Sequence, residues 1–104
     1  MTTETQLQIA VHDAIALTGK ALLWRNQTGQ IGRLRFGLGV GGADLVGVLR
    51  PNGRAFALEV KTATGRMSRE QVAWHRAWTD AGGFVACVRS VNEALMALEE
   101  AARQ

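Results

Sequence analysis

Ala55-Phe56-Ala57-Leu58-Glu59-Val60-Lys61 is the stretch that decides the fold, because it alternates with the two-residue period of a β-strand. One face of this strand consists of Phe56, Leu58 and Val60, and the other carries Ala57, Glu59 and Lys61. Glu59 and Lys61 therefore project side by side. The small Ala55 and Ala57 on their face would leave room for a ligand. This asymmetry favours a functional site on one side of the strand and the core on the other.

The flanking sequence predicts the other elements. Helices are expected from a Thr3 cap to about Thr18, from a Ser68 capping box to about Ala81, and from Ser90 to the C-terminus. Further strands are expected over residues 22–25, 44–49 and 84–88. Asn52-Gly53 suits a tight reversal between the second and third strands. The glycine-rich residues 26–42 should form a hairpin or a mobile loop.

The order of these elements, αβββαβα, predicts an α/β fold. A crossover helix makes the last strand parallel to its predecessor if the two pair. We therefore expect a three-layer domain, with a mixed β-sheet flanked by helices.

Length and composition limit the possibilities. The 104 residues suffice for one domain, residues 1–104, and 47% hydrophobic residues suffice for an ordinary core. No long apolar run and no signal-peptide pattern occur, which predicts a soluble cytoplasmic protein without membrane contact. The single cysteine, Cys87, lies in an apolar strand and is expected to be a small buried hydrophobic residue.

The basic residues suggest a polyanionic partner, because the formal net charge is +3. Of the twelve basic residues ten are arginine, and the two lysines are Lys20 and Lys61. Lysine at position 61 is therefore an exception in a chain whose basic residues are mostly arginine. A compact ammonium can contact a water or a phosphate oxygen and can shift its pKa, which a guanidinium does not do.

Two carboxylates precede this lysine at a spacing typical of a metal site. Asp44 at a strand start and Glu59 on the next strand could hold one Mg²⁺, with the backbone carbonyl of Val60 as a third oxygen ligand. Lys61 would then orient the attacking water. The alternative is a hairpin with solvated carboxylates in which Lys61 only pairs with Glu59.

Two residues on the predicted helices also have both a functional and a purely structural interpretation. Glu4 could reach the metal, or it could be a first-turn glutamate that favours the helix dipole. Gln71 could position Lys61 or a water, or it could only complete the capping box of Ser68, and both roles can coexist.

These residues together resemble a known family. The order Glu4, Arg25-Asn26, Gly-x-x-Asp44, Glu59-x-Lys61 and Ser68-x-x-Gln71 is similar to the VRR-NUC branch of the PD-(D/E)XK nuclease superfamily, over almost the whole chain. The stand-alone phage and bacterial members are the ones it resembles.

This resemblance implies a restriction-endonuclease-like core, dependence on Mg²⁺ with Mn²⁺ as a substitute, homodimers, and action on double-stranded or branched DNA such as Holliday junctions. The implied catalytic set is Glu4, Asp44, Glu59, Lys61 and Gln71. The implied metal ligands are Asp44, Glu59, Val60 and Glu4.

Basic residues near these motifs are candidate DNA contacts. They are Arg25, Asn26, Arg33 and Arg35 in or before the glycine-rich stretch, and Arg66 and Arg69 at the start of the second helix. Trp74 and Trp78 have helical spacing and are expected in the core or a dimer face. His12 and His75 are expected to be packing or helix-surface residues.

The sequence thus predicts a Mg²⁺-dependent endodeoxyribonuclease that uses a metal-activated water. Two alternatives stay open. One is a noncatalytic DNA-binding or phage assembly module with the same fold, and the other is a nuclease of flaps or plain duplex without junction preference.

Overall fold

The computed structural model describes residues 2–27, 29–31, 34–36 and 39–104. Its elements, in chain order, are α1 (Glu4–Thr18), β1 (Ala21–Arg25), β2 (Gly29–Ile31), β3 (Leu34–Phe36), β4 (Leu45–Leu49), β5 (Ala55–Val60), α2 (Arg69–Asp80), β6 (Phe84–Val88) and α3 (Val91–Arg103). The main sheet has the strand order β1-β4-β5-β6, and β2 pairs with β3 in a separate small sheet. The predicted α/β fold is confirmed, and the glycine-rich stretch contributes the β2–β3 hairpin.

The main sheet is mixed, as predicted. β4 pairs antiparallel with β1 and with β5, whereas β5 and β6 are parallel because α2 carries the chain back across the sheet. The β4–β5 turn closes with a hydrogen bond from Leu49 N–H to Arg54 O and places Gly53 at φ 74°, which explains the Asn-Gly pair. β4 and β5 are each one residue shorter than predicted, because Asp44 and Lys61 lie just outside the strands.

Side-chain caps begin the helices where the sequence predicts them. Thr3 and Gln6 form a complete capping box at α1, and Ser68 and Gln71 form another at α2. At α3 the Ser90 side chain accepts the Glu93 N–H. Each helix start is therefore set by local sequence, and the α2 start also fixes one side of the site described below.

The two faces of the sheet are covered differently. α1 and α3 cover one face, where the largest buried side chains include Ile15, Phe56, Leu58 and Leu98. α2 covers the other face, where Trp74, Trp78 and Val85 pack against buried Ala43, Val46 and Ala57. The sheet therefore lies between two helical layers, as predicted.

The expected ligand space above Ala57 is absent, because Ala57 is fully buried beneath this α2 layer. Trp74 and Trp78 stack with ring centroids 4.7 Å apart, and Trp78 Nε1–H donates to Phe84 O at 3.0 Å. The two tryptophans were predicted in the core or a dimer face; they are partly buried and pack against the core on this side of the sheet, and the dimer face stays a prediction. The prediction for Cys87 is wrong in one respect, since its side chain on the edge strand β6 is only partly buried.

Within the described residues, no helix is both long enough and apolar enough to cross a membrane.

Candidate active site

Asp44 and Glu59 face each other at one end of the β4–β5 pair. Leu45 is the register partner of Leu58, so the next pair outward is Asp44 and Glu59. Asp44 Oδ2 accepts the Val60 N–H at 2.7 Å, and the two carboxyl groups share a side-chain hydrogen bond. Antiparallel pairing thus brings together two acidic residues that are fifteen positions apart in the sequence.

The loop before Asp44 is held close to α2. Gly41 has φ 85°, and a Cβ built on it would collide with the backbone of Glu70 in the first turn of α2. On the other side, Asn26 N–H donates to Asp44 O at 2.8 Å and Asn26 Nδ2 donates to Ala43 O at 3.1 Å. Backbone contacts therefore fix Asp44 from both sides, and the Gly-x-x-Asp spacing has a steric reason.

Glu59 is a fully buried carboxyl group, with 0% of its surface exposed. The pKa of Glu59 is raised from 4.5 to about 9, chiefly by burial and then by the hydrogen bond and negative charge of Asp44, while the charge of Lys61 opposes the shift. Two carboxylates this close do not both ionise easily without a cation. In the metal-free protein the pair therefore holds a proton at neutral pH.

Two side chains on α2 contact Glu59 from above. Gln71 Nε2 donates to Glu59 Oε2 at 3.3 Å, while Gln71 Oε1 accepts the Ser68 N–H at 2.8 Å. His75 Nε2 lies 3.4 Å from Glu59 Oε1. Burial lowers the pKa of His75 against the opposing effect of Asp44, so the imidazole is neutral at pH 7. Gln71 thus serves the helix cap and the site together.

His75 was predicted to be a packing or helix-surface residue and not a member of this group. A signal was present, because His75 follows Gln71 by four residues and such residues lie on the same face of a helix. His12, by contrast, links α1 to β1 through a 2.9 Å contact between Nε2 and Leu23 O, which agrees with its predicted packing role.

Lys61 follows β5 directly and continues the parallel ladder, since its N–H donates to Val88 O at 3.0 Å. Its charge lowers the pKa of Glu59, so the ammonium lies within electrostatic reach of the acidic pair. Among the described residues no carboxylate forms an ion pair with Lys61. The simple same-strand Glu59–Lys61 pair of the alternative interpretation is therefore not formed.

The donor set suits a hard divalent cation. It consists of the two carboxylates and the adjacent Val60 carbonyl, and a cation at the acidic pair would replace its shared proton. In the described part of the chain no group of three or more His, Cys, Asp or Glu side chains is arranged to hold a metal ion. Glu4 is exposed at the start of α1 and acts on Glu59 through its charge, so its role as a ligand stays a prediction.

Of the predicted DNA contacts, Arg25, Asn26, Arg66 and Arg69 lie near this end of the main sheet. Arg66 and Arg69 are exposed on either side of the Ser68 cap, and Arg25 at the end of β1 donates from Nε to Gln8 Oε1 at 2.9 Å. Arg35 lies in β3, and Arg33 lies outside the described residues. Asn26 holds the backbone next to Asp44, as described above.

The fold and the site together define a class: a three-layer α/β domain with an acidic pair and a lysine at one end of neighbouring strands. The model of the VRR-NUC domain matches residues 4–92, and the chain therefore belongs to the VRR-NUC family. This membership makes it a nuclease-type DNA-processing domain and confirms the resemblance noted in the sequence.

Solved structures agree with this assignment at the level of the fold. A VRR_NUC domain superposes with a TM-score of 0.69 and 21% sequence identity, covering 95% of this chain and 97% of that chain. No curated protein matches the chain.

Proposed function

We propose that this chain is a metal-dependent endodeoxyribonuclease that hydrolyses phosphodiester bonds. The observation that supports this most strongly is the fully buried Glu59, hydrogen-bonded to Asp44 with its pKa raised to about 9. Burying one acidic group against another is unfavourable for the metal-free protein, and such groups are concentrated at functional sites. A module that only binds DNA gains nothing from this arrangement.

Each residue has a distinct role in the proposed reaction. Mg²⁺ held by Asp44, Glu59 and the Val60 carbonyl would supply charge neutralisation and an activated water. The Val60 N–H orients Asp44, while Gln71 and His75 hold the Glu59 carboxyl from the α2 side.

Lys61 provides the ammonium that orients the attacking water or contacts the phosphate. Its positive charge favours the negatively charged phosphorane-like transition state more than the ground state, which is the condition for an electrostatic contribution to the rate. Glu4 would assist from the start of α1, through its charge or through a bound water.

The proposed substrate is double-stranded or branched DNA, including Holliday junctions, bound by a homodimer in the cytoplasm. The family resemblance supports this choice, and the net charge of +3 and the exposed Arg66 and Arg69 agree with it. Two copies of the site would allow paired cuts in opposing strands.

The experiment is a cleavage assay with a matched lysine control. Labelled four-way junction, splayed duplex, plain duplex and single-stranded DNA are incubated with Mg²⁺, Mn²⁺ or chelator. Lys61→Ala is compared with Lys20→Ala, which removes the other lysine of the chain, an exposed residue between α1 and β1. We expect metal-dependent cleavage by wild type and Lys20→Ala, and none by Lys61→Ala.

The same assay decides between the alternatives. Tight DNA binding without cleavage under any metal would refute the enzyme and leave the noncatalytic module. Equal cleavage of duplex and junction would replace the junction-selective enzyme with the nuclease of flaps or plain duplex. Cleavage that survives in Lys61→Ala would mean that the proposed site does not perform the reaction.

A further inference from the structure

Arg89 holds the turn that follows Lys61. It lies between β6 and α3, and its Nη1 donates to Thr62 O at 2.6 Å and to Gly65 O at 2.7 Å. Residues 62–65 form a turn that is closed by a hydrogen bond from Gly65 N–H to Thr62 O at 3.2 Å. One guanidinium nitrogen thus binds both ends of this turn through short, charge-assisted hydrogen bonds.

The same turn also contacts the Lys61 side chain. A Cβ built on Gly65 would lie 3.5 Å from Lys61 Cδ and 3.6 Å from Lys61 Cβ, so the aliphatic part of the lysine passes directly over Gly65. The Lys61 backbone is held by Val88 O, the residue before Arg89. Lys61 is therefore supported at its backbone by β6 and along its side chain by a turn that Arg89 fixes.

Arg89 is itself anchored from behind. Its backbone N–H donates to Glu93 Oε1 at 2.9 Å, in the first turn of α3. Within the described residues its guanidinium forms no ion pair with a carboxylate, and the bonds it makes go to the two turn carbonyls. The Arg89 side chain is therefore held against the turn next to the site and does not extend freely into solvent.

We propose that Arg89 is a positioning residue for Lys61, acting through the turn of residues 62–65. The effect on turnover rests on the proposed nuclease function, whereas the effect on the turn does not. Without Arg89 the turn loses both external hydrogen bonds, and the Lys61 ammonium loses the surface that limits its directions. Arg89 would then control the rate of the chemical step without contacting the DNA.

Limited proteolysis tests the turn independently of activity. Lys61 and Arg66 are trypsin sites on either side of it. In Arg89→Met, cleavage after these two residues should be about fivefold faster or more, because local opening exposes them. The control is Arg54→Met, since Arg54 also donates to a carbonyl, that of Gly82, and to Gln104 Oε1, both at 3.1 Å, away from this turn. If trypsin cleaved Arg89→Met no faster than Arg54→Met after Lys61 and after Arg66, the proposal would be overturned.

Kinetics test the effect on the reaction. Turnover of Arg89→Met should fall roughly 10- to 100-fold, the range typical of a misplaced catalytic group. DNA affinity should stay within about twofold of wild type, and Arg89→Lys should recover most of the turnover because an ammonium can donate to both carbonyls. Thermal stability is followed in all variants; if Arg89→Met is misfolded, Arg89→Gln replaces it in both tests, because a shorter neutral amide cannot bind both carbonyls as the guanidinium does.

The outcomes separate the two proposals. A loss of affinity with a salt dependence reduced by about one phosphate would make Arg89 a DNA contact and refute the positioning role. Unchanged turnover despite faster proteolysis would also refute it. Wild type without cleavage would refute the nuclease function, while the trypsin comparison would still decide whether Arg89 holds the turn.

Discussion

Replacing Glu59 by glutamine tests the electrostatic basis of the site. Glutamine keeps the size of the side chain and its hydrogen-bonding capacity, but it removes the buried titrating group. In wild type the pKa of Glu59 is raised from 4.5 to about 9, so the folded protein binds this proton more tightly than the unfolded chain. The stability that this proton contributes is complete below pH 4.5 and is lost as the pH rises toward 9.

The size of the expected stability difference follows from how steeply the free energy of unfolding changes with pH, and not from how deeply Glu59 is buried. Between the unfolded and folded pKa values, each pH unit lowers the free energy of unfolding by about 1.4 kcal/mol for one proton. From pH 6 to pH 8, metal-free wild type should therefore lose roughly 3 kcal/mol relative to Glu59→Gln. His75 has a lowered pKa and contributes in the opposite direction, with stability lost as the pH falls, but it is present in both proteins and cancels in the difference.

Urea unfolding followed by tryptophan fluorescence, in chelator at pH 6, 7 and 8, measures this difference. The variant should become progressively more stable than wild type as the pH rises. A difference that stays constant from pH 6 to pH 8 would refute the reasoning, because it would mean that Glu59 is ionised in the folded protein. A trend of the opposite sign would also refute it, because the unfolded chain would then bind more protons than the folded protein over this pH range.

Three further predictions concern the metal, the loop and the helix caps. Mn²⁺ at about one hundred times its dissociation constant should raise the unfolding free energy of wild type by about 2.7 kcal/mol and leave Asp44→Ala unchanged; an equal rise in both would place the ion elsewhere. Gly41→Ala should lower the stability in thermal unfolding by about 2 kcal/mol or more, since it combines φ 85° with a collision against α2. Ser68→Ala and Thr3→Ala should each cost about 1 kcal/mol in urea, but DNA cleavage should slow more in Ser68→Ala, because its helix carries Gln71.

Elements with local signals were predictable from the sequence. The start of α2 follows from Ser68 and Gln71, the β4–β5 turn from Asn52-Gly53, and the faces of β5 from its strict alternation. Each of these depends on residues within a few positions of one another. The parallel β5–β6 pair also followed, because a crossover helix leaves few other arrangements.

Contacts between distant segments were not predictable in the same way. A small Ala57 is compatible with an open cavity or with a large side chain from another element, and the sequence does not say that Trp74 and Trp78 pack there. His75 joins the site only because α2 crosses above Glu59. The hydrogen bonds from Arg89 to the turn after Lys61 span more than twenty positions and have no sequence pattern at all.

The two contacts of Gln71 affect how substitutions in relatives are interpreted. Because one end of its amide completes the capping box and the other touches Glu59, natural selection for folding and for activity would both retain the same residue. Invariance of this glutamine across a family would therefore not by itself identify it as part of the chemistry. Gln71→Glu separates the two pressures, since glutamate still accepts the Ser68 N–H but offers Glu59 a negative charge instead of a donor.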